Sequence, residues 1–412
     1  MTDSSASRRT AVVVGGGPAG LMAAEVLARA GVAVTVVDHR PSVGRKLLLA
    51  GRSGLNLTHS ESIDQMLARY GSRASRLERA LRAFDAPELR SWAAGLGEPT
   101  YVGTSGRVFP RSSRATGLLR AWLHRLDELG VTWRTRTRWS GWDTGGALRF
   151  EGPAGEVLML QPDITVLALG GASWPRTGSD GGWVPILREA GVEVLDLRPA
   201  NCGVLVQWST TFVERHAGEP IKNVALRVEG ADVAAVRGDA IITGGGLEGG
   251  PVYVVSAALR DVVERCGRAT LLVDLQPDLT VDGLADRLRR RRPKDSRSST
   301  LKRTAGLSPA TVAWLREVAP SLPTDPVELA TLLKAVPVAV VGVAAIDRAI
   351  SSAGGVSFAE VDDAFMLHRR PGVFVVGEML DWEAPTGGYL LQATFSTAVA
   401  AAHGALRWLD AH

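Results

Sequence analysis

The chain has 412 residues and a formal net charge of +4, and its 45% hydrophobic and 22% charged content is that of an ordinary folded protein with room for two or three domains. Its two cysteines, Cys202 and Cys266, are far apart in a chain without a CxxC pair, which argues against a disulfide framework, a thiol redox pair or a cysteine-rich metal site and suits the reducing cytoplasm. No apolar run reaches the roughly 18 to 20 residues of a membrane span, and the small positive charge permits an anionic ligand without requiring nucleic acid.

Arg8 and Arg9 precede an apolar run that three glycines soon interrupt, so this start reads as a strand rather than an export signal. Thr10 to Arg40 reads TAVVVGGGPAGLMAAEVLARAGVAVTVVDHR. AVVV is a short buried strand, and Gly15, Gly17 and Gly20 follow it with G-x-G-x-x-G spacing. Pro18 and Ala19 lie inside that turn, and the helix LMAAEVLARAG ends at Gly31. VAVTVVD is the second strand and ends at Asp38. The pattern points to a dinucleotide. Gly15 permits the tight turn, Gly17 lets backbone approach a pyrophosphate, and Gly20 lets helix and strand pack closely. The free N–H groups of the helix start favour phosphate, and Asp38 can accept from a ribose diol.

After Asp38 the chain runs HRPSVGRKLLLAGRSGLNLTHS. A second Gly-, Ser- and Asn-containing loop replaces the crossover helix of a nicotinamide-binding fold, which favours FAD lying across the sheet. The residues expected along it are His39, Arg40, Gly44, Arg45, Lys46, Leu47, Gly51, Asn56, Leu57 and Thr58. Farther on, VTWRTRTRW, ALRFEG and EVLMLQ read as a three-stranded meander. ITVLAL is another buried strand, and Gly170 and Gly171 end it beside the cofactor.

From Arg198 short alternating strands suggest a β-rich insertion, followed by a basic helical stretch. Between Arg287 and Arg303 the bases greatly outnumber the single acid, Asp295, and this reads as a solvated helix face. No second dinucleotide-binding turn is read in the chain, so no dedicated nicotinamide domain is expected. The last segment holds the strand VFVVGE, then Gly377, Glu378 and Asp381, then Gly387, Gly388, Tyr389 and Leu390 at the start of an apolar helix. That helix start is expected to face the flavin pyrimidine edge, where negative charge develops on reduction. Glu378 and Asp381 are expected to face the ribityl chain or a backbone amide. The implied fold is α/β: a Rossmann-like FAD-binding domain of the two-dinucleotide type with inserted β-rich and helical domains. Its segments are 1–195 and 341–412 for the FAD-binding domain, 196–275 for the β-rich insertion and 276–340 for the helical one.

Five motifs in this order, GGGPAG, GRKLLLAGRSGLNLT, LALGGASWPRTGSDG, GGLEGGPVY and GEMLDWEAPTGGYLLQATFSTAVAAA, resemble the bacterial YhiN-like or BaiN-like flavoproteins, often labelled aminoacetone oxidase-like. The resemblance covers nearly the whole chain and implies a discontinuous FAD domain. Two departures set the chain apart. Ser53-Gly54-Leu55-Asn56 stands where the family often has Gly-Arg-Cys-Asn, and Leu390 stands where it usually has Asn.

The function expected is that of an FAD-dependent oxidoreductase passing hydride between flavin N5 and a small organic substrate, by amine oxidation or C=C reduction. NAD(P)H would act as a diffusible donor. Tyr389, His216 and Arg176 are candidate catalytic residues, with Trp174 beside them. The alternative is a flavin-dependent RNA-modifying or RNA-binding protein that uses Arg287 to Arg303. Neither cysteine sits in a flavin motif, which weighs against it, so nucleic acid and membrane are not expected partners. The oligomeric state is left open.

Overall fold

The computed structural model describes residues 8–51, 54–232, 234–292 and 294–412, so Ser53 lies outside the described residues. It divides into two compact units, one of residues up to Arg198 together with Ser351–His412, the other Pro199–Ile350.

The first unit is built on a five-stranded sheet. Its strands, in spatial order, are Val373–Val375, Ile164–Leu167, β1 (Thr10–Val14), β2 (Ala33–Val37) and Thr132–Arg134. Every neighbouring pair is parallel. The Val-rich central strands are buried along their length, as a sheet covered on both faces requires. The register sets Val14 opposite both Val37 and Leu167, and Leu167 opposite Val375. The chain therefore leaves the sheet at one common edge through Gly15, Asp38, Ala168 and Val376. In open parallel sheets that edge is where ligands bind, at the point where strand order reverses.

Helix α1 (Pro18–Arg29) and the C-terminal helix Tyr389–Ala411 pack against each other on this sheet. Both bury small residues, Ala23 and Ala24 on one and Ala398, Ala401 and Ala402 on the other, which lets the two backbones come close. A buried carboxylate ties α1 to its surroundings. Glu25 is 2% exposed. It accepts from Trp122 Nε1 at 2.7 Å, Trp92 Nε1 at 3.0 Å, Arg29 at 2.8 Å and Arg125 at 3.1 Å.

Two local readings are corrected. VTWRTRTRW is not one meander strand. Thr132–Arg134 is the edge strand of the parallel sheet, and the meander is Arg138–Trp142, Leu148–Glu151 and Val157–Leu160. Arg136 has φ +56°, which breaks the strand between the two pieces. The stretch after Asp38 also holds a short helix, α2 (Arg45–Ala50), started by Gly44 in a left-handed conformation.

The second unit is built on a seven-stranded sheet, ordered Val336–Val340, Ala269–Asp274, Pro220–Val228, Val236–Thr243, Gly246–Glu248, Val204–Leu205 and Gly342–Val343. Its neighbours are antiparallel. The helical stretch ends in a strand that pairs with Ala269–Asp274, so β-rich and helical insertions share one core around Leu271, Leu284, Trp314 and Val338. Among the described residues no helix is long and apolar enough to cross a membrane.

Candidate cofactor site

The glycines of the first turn divide by what a side chain would meet. A Cβ on Gly15, which has φ +107°, would lie 2.3 Å from the Ala168 carbonyl oxygen. One on Gly20 would lie 1.9 Å from that of Gly15. Chain packing alone demands these two. Gly17 has φ −80°, which any residue adopts, and a Cβ there would meet nothing within 4 Å. Nothing in the protein's own packing asks for glycine at that position. It caps α1 without a side-chain acceptor, with Pro18 next, so the N–H groups of Ala19 and Gly20 stand at an open helix start. Open space, free donors and a positive dipole end together suit a phosphate.

Asp38 accepts from the backbone N–H of Gly16 at 2.8 Å and of Arg40 at 2.7 Å, so its carboxylate also fastens the turn to the end of β2. A narrow cavity opens beside it at the strand ends, lined by Gly15, His39, Arg138, Trp139, Asp180 and Trp183 among others. His39 Nε2 and Trp139 Nε1 are buried there without a hydrogen-bond partner. Burial, then the Arg138 guanidinium, holds the His39 imidazole below its ordinary pKa against the pull of Asp38 and Asp180, so it is neutral at pH 7. Arg40 donates to the Arg176 carbonyl oxygen.

Along the next segment, Gly44 and Gly51 serve packing, since a Cβ would meet Leu119 at 2.5 Å and Ala115 at 2.5 Å. Leu47 and Leu57 are core residues. Arg45 Nε and Asn56 Oδ1 are buried and unpartnered, and Thr58 Oγ1 donates to Gln392 Oε1 at 2.5 Å. Lys46 joins three parts of the unit. Its Nζ donates to Ser173 Oγ at 2.6 Å and to Glu378 Oε2 at 2.8 Å. Glu378 Oε1 accepts from the Ser352 amide at 2.8 Å, and Oε2 from the Gly171 amide at 3.4 Å. Beside Gly170, Ser179 Oγ is a further buried oxygen without a partner.

Gly377 brings the two halves of the edge together, because a Cβ there would lie 2.9 Å from Ala19 Cβ. Asp381 pairs with Arg73, and burial raises its carboxyl pKa although Arg73 opposes the shift. Gly388 caps the C-terminal helix at φ +100°, and a Cβ would lie 2.4 Å from the Thr58 backbone. Gly387 likewise faces the Tyr389 ring at 2.9 Å. The close approach at these two glycines is made by the chain itself rather than left for a ring. Half-buried Leu390 follows in the first helical turn.

Tyr389 is held from all sides. Its ring stacks on His59 with 5.3 Å between centroids, and its carbonyl accepts from the Tyr70 hydroxyl at 2.8 Å. The Arg69 guanidinium lies over the ring at 5.7 Å from its centroid and is itself paired with Glu61. Burial, then Glu61, pushes the phenol far above its ordinary pKa, so Tyr389 keeps its proton. The other candidates are placed elsewhere. Arg176 and Trp174 are exposed on the loop after Gly171, and His216 belongs to the second unit, where its ring packs on Phe212 at 5.3 Å. Glu61, Arg69, Ser173 and Ser352 were missed, because no motif marks a residue whose partner is far away in sequence.

The described residues contain no group of three or more His, Cys, Asp or Glu able to hold a metal. The strand-end edge fits a dinucleotide through its open Gly17 cradle and its unpartnered buried atoms at His39, Arg45, Asn56 and Ser179.

A Rossmann-like parallel sheet with a glycine turn at its switch point defines a nucleotide-binding α/β protein. The chain belongs to the HI0933-like protein Rossmann domain family, whose description it matches over residues 9–404. It is 25% identical over 409 residues to a 3-dehydro-bile acid delta(4,6)-reductase of Clostridium scindens, covering 95% of this chain and 98% of that protein. It is 24% identical over 416 residues to a ribosomal RNA dihydrouridine synthase of Escherichia coli, covering 96% and 97%. Its fold is also that of 3-ketosteroid delta1-dehydrogenase from Sterolibacterium denitrificans, with TM-score 0.53, 13% identity and coverage of 97% and 100%.

Proposed function

We propose that the protein is an FAD-dependent oxidoreductase that reduces a C=C bond conjugated to a carbonyl group in a small organic substrate. The observation that carries the cofactor assignment is Gly17, a glycine with ordinary φ whose missing side chain faces only open space at the start of α1. FAD supplies hydride transfer at flavin N5. The α1 amides would hold its pyrophosphate and Asp38 its adenosine ribose. Lys46 and Glu378 would hold the polar middle of the cofactor, and the start of the C-terminal helix its ring. Tyr389 stays protonated, so its hydroxyl can position or donate and does not act as a base.

The reductive direction is supported by the two relatives. One is named for reducing a bile acid, and dihydrouridine is uridine with its ring C=C bond reduced. The second of these names favours a further reading, in which the acceptor base is presented in RNA. Gly244, Gly246 and Gly249 repeat the spacing of the first glycine turn, but the strands they adjoin are antiparallel neighbours in the second unit's sheet rather than members of a parallel sheet, so the donor we infer is a diffusible NAD(P)H that reaches the same flavin. Two free cysteines suit the cytoplasm.

The test is an anaerobic visible spectrum of the purified protein through an NADPH and then an NADH titration, followed by addition of an enone. Flavin bands that bleach with the nucleotide and return with the enone are expected. Bands that bleach only with amines would replace this reading with amine oxidation. A protein that binds no FAD at all would overturn it.

A further inference from the structure

A charged stretch of the second unit includes none of the residues of the site above. Helices Val281–Arg289 and Arg297–Thr304 and the turn between them carry a dense run of bases. Some are neutralised locally: Arg289 pairs with Asp286, Arg303 pairs with Asp295, and Arg297 donates to the Leu322 carbonyl. Arg287, Arg290, Arg291, Lys294 and Lys302 are exposed, and among the described residues their side chains have neither a hydrogen bond nor an ion pair. Asp286 and Asp295 are already engaged, and Asp282 in the first turn of the first helix is the one further carboxylate on these two helices, so the five charges outnumber it. An exposed cation with a carboxylate neighbour is a solvated pair, whereas a clustered set without one draws an anion.

The structure also selects the kind of anion. A membrane-surface helix sets its cations beside an exposed apolar face. Here the apolar residues of the two helices, Leu284, Leu288 and Leu301, are buried in the unit's core, and no large apolar or aromatic side chain is exposed among the described residues from 281 to 304. The ridge offers no aromatic platform for unpaired bases. It can contact a regular row of phosphates. We propose that Arg287, Arg290, Arg291, Lys294 and Lys302 form a docking surface for the phosphate backbone of double-helical RNA. The ridge binds by charge and shape, not by base sequence.

The test is fluorescence anisotropy of the full FAD-loaded protein with a labelled RNA hairpin across a salt series. With most of the five charges engaged, affinity should fall about a hundred- to a thousandfold between 50 and 200 mM salt. A variant with these five residues changed to alanine should lose binding at least about tenfold at low salt and show a shallower salt slope. Its flavin spectrum and melting temperature should match those of the parent. Changing only Arg287, Arg290 and Arg291 to lysine keeps the charges and should keep most of the binding, which guards against a folding defect in the alanine variant. No binding at 50 mM salt would overturn the proposal, as would equal binding by the alanine variant or binding to phosphatidylserine vesicles in preference to RNA. The readout needs no turnover, so it stands or falls separately from the reaction assigned above.

Discussion

At the residue scale, two glycines of the cradle should behave in opposite ways. Gly17→Ala adds a methyl to open space at an ordinary φ, so the apo protein should melt as before while FAD affinity falls at least about tenfold, measured by flavin fluorescence quenching. Gly388→Ala drives a Cβ into the Thr58 backbone at φ +100°, so it should cost on the order of 1–3 kcal/mol of stability even without cofactor, read from denaturant melts. Glu25→Ala leaves two indole N–H groups without their acceptor and removes the carboxylate partner of Arg125, which keeps only the Gly95 carbonyl. Removing one partner of a buried pair costs about 3–5 kcal/mol, toward the low end here because Arg29 reaches solvent. His39 gives a pH signature. Its folded pKa lies below the unfolded value, so the unfolded state binds more protons and stability is lost as pH falls below about 6.5. His39→Asn should flatten the decline of melting temperature between about pH 6.5 and 5, a window above the ordinary range of the carboxylates.

At the scale of elements, the pieces that could be read in advance are those whose physics is local. The strand, turn, helix and acid of Thr10–Asp38 form a contiguous unit: its two strands pair with each other, Asp38 accepts from Gly16, and Gly20 packs on Gly15. The strands at Ile164 and Val373 could be recognised from their apolar runs. Thr132–Arg134 reads as part of the meander because its alternation matches the strand after it, and only the positive φ at Arg136 divides them. The Gly387–Gly388 pair marks the start of the last helix in the sequence, but the atoms that come close to Gly388 belong to Thr58, far away along the chain. The same limit hid the Lys46–Glu378 pair, whose partners are 332 residues apart. That pair predicts a linked loss. Glu378→Gln should weaken FAD binding and lower the melting temperature together, because Lys46, Gly171 and Ser352 lose a charged acceptor at once.

At the scale of the whole molecule, each unit has its own hydrophobic core, one around Val13, Leu21 and Phe374 and the other around Leu271, Val338 and Trp314. A fragment of Pro199–Ile350 should therefore melt cooperatively by circular dichroism and bind no FAD. A broad, non-cooperative melt would refute its independence.

The order of strands in the parallel sheet also has a consequence for how the protein is made. Ile164–Leu167 needs Val373–Val375 on its outer side, and the ribosome makes the whole second unit before that strand emerges. Throughout that interval a buried-type apolar strand presents a bare backbone edge, the feature that invites wrong pairing between nascent chains. Chaperone demand should peak in the middle of synthesis and fall once the closing strand is released.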